Sequence, residues 1–287
     1  MSDQEFIGRE KLGEGLSGCE VRMPRSKEWQ MVAKESGREY RIFVASPSEV
    51  PPPSGFPVIY MLDGNAIFGT MVEAVRVQSR RPEKTGVTPA VIVGIGYPTD
   101  EPFNPARFYD FTMPTEPSEL PKSYDGSPWP EMGGAESFFQ FIEQDLKPRI
   151  ESMCNIDKNR QSIWGHSLGG LFVLQTLFNH STSFQTYIAG SPSIHWNKSR
   201  IREMEQHFTE QLKLNPHKID LLITAGELEQ SHPSRMNEYA KALAERLFGY
   251  ADCGMHVEYK EFEGEGHVSV LPGLISRTAR FAFQPLK

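Results

Sequence analysis

One stretch constrains this chain more than any other: Gln161 to Phe178, QSIWGHSLGGLFVLQTLF. A short apolar run ending at Trp164 meets Gly165-His166-Ser167-Leu168-Gly169, and an apolar run of helical length follows. That order is strand, sharp turn and helix with a serine at the apex, the context in which G-x-S-x-G marks a strained nucleophile elbow. The turn calls for glycine because the serine takes an unfavourable backbone conformation, so side chains at positions 165 and 169 are expected to clash. Such a turn lifts the Ser167 hydroxyl above the sheet edge. It also aims the N–H of Leu168, at a helix start, towards the place where an oxyanion forms.

A strand–helix unit of this kind implies a parallel sheet, and the rest of the chain supplies one. Glu39–Ala45, Phe56–Leu62, Ala90–Ile95, Tyr187–Gly190, Lys218–Ala225 and His256–Phe262 read as strands. The continuous apolar runs among them suit strands covered on both faces. Helical patterns lie at Ala66–Arg81, Glu136–Ile150, Ser234–Phe248 and Pro272–Phe283. The expected fold is α/β: a mostly parallel central sheet with helices on both faces. With 287 residues, no internal repeat and no composition break, residues 1–287 read as one domain. Residues 97–134, rich in proline and aspartate and carrying Phe103, Arg107, Phe108, Tyr109, Tyr124 and Trp129, suit a lid or binding wall. Arg107 is placed there to meet an anionic substrate or to pair with Asp110.

One early motif points elsewhere. Gly13-Glu14-Gly15-Leu16-Ser17-Gly18, followed by Val32-Ala33-Lys34, imitates the glycine-rich loop and strand lysine of a protein kinase. No H-R-D or D-F-G follows to hold magnesium, so phosphoryl transfer lacks its machinery and a plain glycine-rich turn is the reading. A net charge of −7 excludes a general nucleic-acid binder, which needs a basic face. The three cysteines, Cys19, Cys154 and Cys253, are scattered, which fits a reducing compartment. The N-terminal residues hold no apolar core of signal length, and no run of 18 apolar residues occurs. A cytoplasmic protein without a membrane partner is expected; the oligomeric state stays open.

A serine hydroxyl needs a general base, and the base needs a carboxylate to fix its tautomer. His267 lies in a glycine-flanked loop after the last strand, whereas His166 sits inside the elbow with its side chain expected to point away. Glu227 and Glu229 both follow the strand ending near Ala225, so either completes the order serine, acid, histidine. The loop after Phe56–Leu62 offers the backbone of Gly64 or Asn65 as second oxyanion donor. His195 and Trp196, just past another strand, are either cavity wall or turn packing.

Taken together, Tyr60–Asn65, Val93–Pro98, Arg107–Thr112, Gly133–Ala135, Gly165–Phe172, Ser191–Ser193 and Gly266-His267 resemble the esterase family of α/β hydrolases. Within it, the likeness is to the siderophore trilactone esterases that open enterobactin- or bacillibactin-type rings. The resemblance implies an α/β-hydrolase fold, Ser167 as nucleophile, His267 as base and Arg107 facing the acidic ligand. It implies a small-molecule ester substrate, a ferric siderophore, whose iron is released in the cytoplasm. No metal or organic cofactor is implied, because the iron arrives with the substrate. Some members work with a serine–histidine dyad. The usual G-x-x-acid spacing, counted from Gly226, selects Glu229 over Glu227. Two rival readings remain: a carboxylesterase or S-formylglutathione hydrolase-like thioesterase of the same fold, and a siderophore-binding protein without turnover.

Overall fold

The computed structural model describes residues 21–116, 120 and 127–284. Among these residues eight strands form one sheet in the order β1-β2-β4-β3-β5-β6-β7-β8. The first strands, β1 (Ser26–Val32) and β2 (Glu39–Ala45), run antiparallel to each other, and β2 runs antiparallel to β4 (Val91–Gly96). From β4 onward the pairing is parallel: β3 (Phe56–Met61), β5 (Ile156–His166), β6 (Thr186–Gly190), β7 (Ile219–Gly226) and β8 (Met255–Phe262). Every residue of β3 and β4 is buried, which explains their unbroken apolar sequence.

Alternation along the strands sorts side chains between two cores. Ile59, Met61, Trp164, Ile188 and Leu222 face α1 (Gly64–Gln78) and α9 (Leu271–Ala282), whose Ile67, Met71, Val75, Leu274 and Ile275 cover them. Val58, Tyr60, Ile163, Tyr187 and Leu221 face the opposite core with α6 (Leu168–Asn179). Leu168 to Phe178 are all buried, so α6 is a central helix without a wet face.

Some elements differ from their sequence reading. The first long helix ends at Gln78, and Pro82 opens a separate turn, α2 (Pro82–Thr85). The expected helix at 136–150 is three pieces: α4 (Ala135–Gln140), a π-helical turn (Phe141–Leu146) and α5 (Lys147–Met153). The irregularity falls just before Pro148, which lacks an N–H and is tolerated only in the first turn of a helix. A helix the sequence reading left unassigned, α7 (Lys198–Leu214), buries Ile201, Met204, Phe208 and Leu212 behind a densely charged outer face. The helix between β7 and β8, α8 (Met236–Leu247), starts two residues later than its pattern.

The glycine-rich stretch 13–18 and Cys19 lie outside the described residues, as does Tyr124. Lys34 binds Asp145 through both its amine, at 2.7 Å, and its backbone N–H, at 2.9 Å. Cys154 and Cys253 are free thiols. Among the described residues no helix is long and apolar enough to cross a membrane. Strand order matters most for function. The chain leaves β3 for β4 on one side and then crosses to β5 on the other. That reversal opens a crevice at the carboxyl ends of β3 and β5, where ligands bind in open α/β sheets.

Candidate active site

Ser167 stands in that crevice between β5 and α6, with φ 60° and ψ −117°, a conformation that side chains rarely adopt. A methyl group at Gly165 would lie 2.2 Å from the Gly169 carbonyl oxygen, so only glycine fits there. At Gly169 the same methyl makes ordinary contacts, the shortest 3.4 Å to Leu62, which corrects the expectation for that position. The second crowded glycine is Gly170, where a methyl would meet the Gly190 carbonyl at 2.7 Å. The Ser167 N–H donates to Gly190 at 2.9 Å, and the Ser167 carbonyl accepts from the Ser193 N–H at 3.1 Å. Leu168 opens α6, so its N–H has no partner inside the helix.

Opposite the serine, the loop after β8 carries His267, whose Nδ1 lies 3.0 Å from Glu229 Oε2. Glu229 is 3% exposed and sits in the short helical turn Glu227–Ser231 that follows β7. Its other oxygen accepts the Ser191 hydroxyl at 2.6 Å and the Gly226 N–H at 2.8 Å. Burial alone would raise its pKa, but the bonds from His267, Ser191 and Gly226 outweigh burial and hold it below the ordinary carboxylate value. Glu227, two residues earlier, is exposed and accepts the Gly264 N–H at 2.7 Å. The two glutamates thus have separate places: Glu229, which the spacing favoured, on the histidine, and Glu227, the alternative, on the loop.

Among the described residues no hydrogen bond joins Ser167 to His267; the Ser167 Oγ lies 3.3 Å from Ser193 Oγ instead. Ligand-free sites often leave this contact loose. His166 does not turn away as its place in the elbow suggests. Its buried ring lies 4.5 Å from that of His267 and is held well below its ordinary pKa, first by burial and then by the charges of His267 and Arg107.

Arg107, on the short helix α3 (Arg107–Phe111), pairs with neither Asp110 nor open solvent. Its Nε and Nη2 each donate to Asp63 at 2.9 Å, and Nη2 also reaches the His166 carbonyl at 3.4 Å. Asp63 takes a left-handed conformation (φ 52°) that ends β3 and turns its carboxylate to the arginine. Asp110 is fully buried beneath α3, accepting from Tyr40 at 3.1 Å and Tyr97 at 2.8 Å, with Arg38 Nε at 3.3 Å. Burial pushes its carboxyl up to about 6 against the pull of Tyr97, Arg38 and Tyr40.

Gly64 and Asn65 do not line the cavity above Ser167. Gly64 packs on the backbone of Gly94, and the Asn65 side chain staples the end of β4 through Tyr97 and Thr99. The cavity, about 600 Å³, has Ser167, Leu168, Arg107 and His267 along its base. Phe108, Trp129 and Trp196 form its wall, the two tryptophan rings meeting edge to face at 4.6 Å. His195 lines it too, its pKa pushed down to about 4 by burial and by the charges of His232, His267 and Lys198. The sequence reading assigned no role to Asp63, Ser191 or Ser193. Their signals were position, immediately past the ends of β3 and β6, and membership of the stretches that carry the family resemblance. Among the described residues no cluster of His, Cys, Asp or Glu is arranged to hold a metal ion.

Comparison with known proteins gives this geometry a context. Residues 33–270 match a family model described as "Putative esterase". The ferri-bacillibactin esterase BesA of Bacillus subtilis is 59% identical over 270 residues, 94% of this chain and 91% of that protein. The siderophore enterobactin esterase of Emericella nidulans is 35% identical over 279 residues, covering 86% and 90%. A crystal structure of BES protein from Bacillus cereus superposes with a TM-score of 0.87 at 42% identity, covering 94% of this chain and all of that one.

Proposed function

The chain belongs to the esterase family, and from that premise we propose that it is a serine esterase opening the ester bonds of a ferric catecholate siderophore trilactone. The observation that carries the reading is the buried Glu229 on His267 Nδ1, facing Ser167 across the base of an aromatic-walled cavity. The relative at 59% identity is named for ferri-bacillibactin and the one at 35% for enterobactin, and both names point to such a ring. Flat aromatic rings such as catecholates pack against tryptophan edges and faces, which is what Phe108, Trp129 and Trp196 present.

In this mechanism Glu229, ionised because its hydrogen bonds favour the charged form, keeps the proton on His267 Nδ1. Nε2 is then free to accept. When substrate binds, the loose contact between Oγ and Nε2 tightens, and as the proton transfers, Oγ attacks the ester carbonyl. The tetrahedral oxyanion meets the Leu168 N–H at the start of α6. Its second donor is Arg107, whose guanidinium lines the cavity beside Ser167 while Asp63 and His166 hold it in place. His267 next protonates the leaving serine or threonine hydroxyl of the ring, and water repeats the sequence on the acyl-enzyme. The stretch 97–134 then acts as binding wall through Phe108 and Trp129. Iron enters as part of the substrate, and the reaction is placed in the cytoplasm.

The deciding experiment incubates the protein with ferric and iron-free bacillibactin and enterobactin, with linear trimer, dimer and monomer separated by chromatography. Ring opening that disappears in a folded Ser167→Ala variant is expected. Hydrolysis of simple p-nitrophenyl esters or thioesters with intact trilactones would discard the siderophore and keep the esterase. Tight binding of the ferric siderophore without any product would leave a binding protein.

A further inference from the structure

The segment Ser191-Pro192-Ser193 touches both ends of the relay. Ser191 is wholly buried, carries a positive φ of 39°, and donates its hydroxyl to Glu229 at 2.6 Å. Ser193 places its hydroxyl 3.3 Å from Ser167 Oγ. Between them Pro192 is pressed against the first turn of α6, so closely that a methyl on Gly170 would come within 3.1 Å of its Cα. Backbone bonds fix the rest: Ser191 N–H to Thr224, Ser193 N–H to Ser167, and the Ser193 carbonyl accepting from Trp196.

Ser193 is 4% exposed, and among the described residues its hydroxyl has one hydrogen-bond partner, Ser167 Oγ. A buried hydroxyl proton needs an acceptor. The half-buried Ser167 can direct its own proton into the cavity, where His267 lies. Geometry alone leaves either hydroxyl as donor, and the deeper burial of Ser193 favours the direction from Ser193 to Ser167. We propose that Ser193 is a further catalytic residue, a donor to the nucleophilic oxygen itself; this rests on the reading of Ser167 as nucleophile.

As the Ser167 O–H bond breaks, its proton passes to His267 Nε2 and an Oγ lone pair forms the bond to the ester carbon. Ser193 keeps its proton throughout, and its hydrogen bond strengthens as charge builds on Oγ. In the acyl-enzyme that oxygen is an ester oxygen and a poorer acceptor. The bond is thus strongest in the transition state, where it raises kcat rather than ground-state binding.

The test compares wild type, Ser193→Ala, Ser193→Thr and Ser167→Ala. It measures phosphonylation by a small fluorophosphonate with peptide mapping of the labelled residue, and kcat and KM on p-nitrophenyl acetate. A hydrogen bond to a developing charge sets the scale, so Ser193→Ala should slow labelling of Ser167 and lower kcat by about ten- to a hundredfold. KM and thermal melting should stay near wild type, and Ser193→Thr should restore the rate. Labelling of Ser167 at the wild-type rate in Ser193→Ala would overturn the proposal alone, as would a loss that threonine does not rescue. Labelling of another residue in wild type would overturn the nucleophile reading and this proposal with it.

Discussion

Glu229→Gln separates a triad from a dyad, and the structure says how it should act. Three donors converge on the Glu229 carboxylate: Ser191 and Gly226 on Oε1, His267 on Oε2. Glutamine has the same shape but one oxygen. That oxygen belongs at the Oε1 position, where two donors would otherwise lose their acceptor in a buried site. The amide nitrogen then faces His267 Nδ1 and donates to it. A donor there forces Nδ1 to become the acceptor and moves the histidine proton to Nε2, where it blocks removal of the Ser167 proton. The same inversion of tautomer in a serine-protease triad costs about 10⁴ in kcat. A loss of about 10³ to 10⁴ in kcat is therefore expected on p-nitrophenyl acetate, with KM little changed and the fold intact by circular dichroism. The control is Glu227→Gln, which only weakens an exposed contact to Gly264 and should change kcat less than about threefold. Less than tenfold loss in Glu229→Gln, or equal effects of the two changes, would refute the argument and leave a serine–histidine dyad.

Other consequences follow from the same contacts. Asp63→Ala strands the buried Arg107 charge, so it should destabilise the fold by about 3–5 kcal/mol in urea titration and lower kcat together. Gly170→Ala drives a methyl towards the Gly190 carbonyl and should impair folding or labelling of Ser167, whereas Gly169→Ala should be tolerated. Asp110 gives a pH signature. Its folded pKa of about 6 lies above the ordinary 3.8, so the stability it contributes is complete below about pH 4 and is lost as pH rises through 6. The loss amounts to about 3 kcal/mol, and Asp110→Asn should flatten that part of a denaturation profile recorded from pH 4 to 8. Glu229 acts in the opposite sense: its pKa is lowered, so its contribution is present above the ordinary carboxylate pKa and fades as pH falls.

How much of this was legible beforehand depended on the range over which each interaction is decided. The elbow is local: strand, glycine and helix lie within eighteen residues, and Ser167 could be read from them. Buried strands such as β3 and β4 announce themselves because both faces are apolar. Helix α7 was missed for the converse reason, since its charged surface hides a four-residue apolar stripe that has meaning only against α6 and the core. Spacing from Gly226 favoured Glu229, but composition alone could not separate it from Glu227; a five-residue helical turn after β7 swings one inward and leaves the other wet. Arg107 shows the limit most clearly. Asp110 is three residues away, yet it is claimed by Tyr40 and Tyr97 on the neighbouring strand ends β2 and β4, and by Arg38. The partner Arg107 finds is Asp63, 44 residues back, because the left-handed turn at the end of β3 delivers that carboxylate to the crevice. A cation so engaged is held rigid in a cavity that Ser167 also lines. In the proposed mechanism an oxyanion that forms there meets a donor already in place, and its stabilisation would depend on a strand end no local pattern could have named.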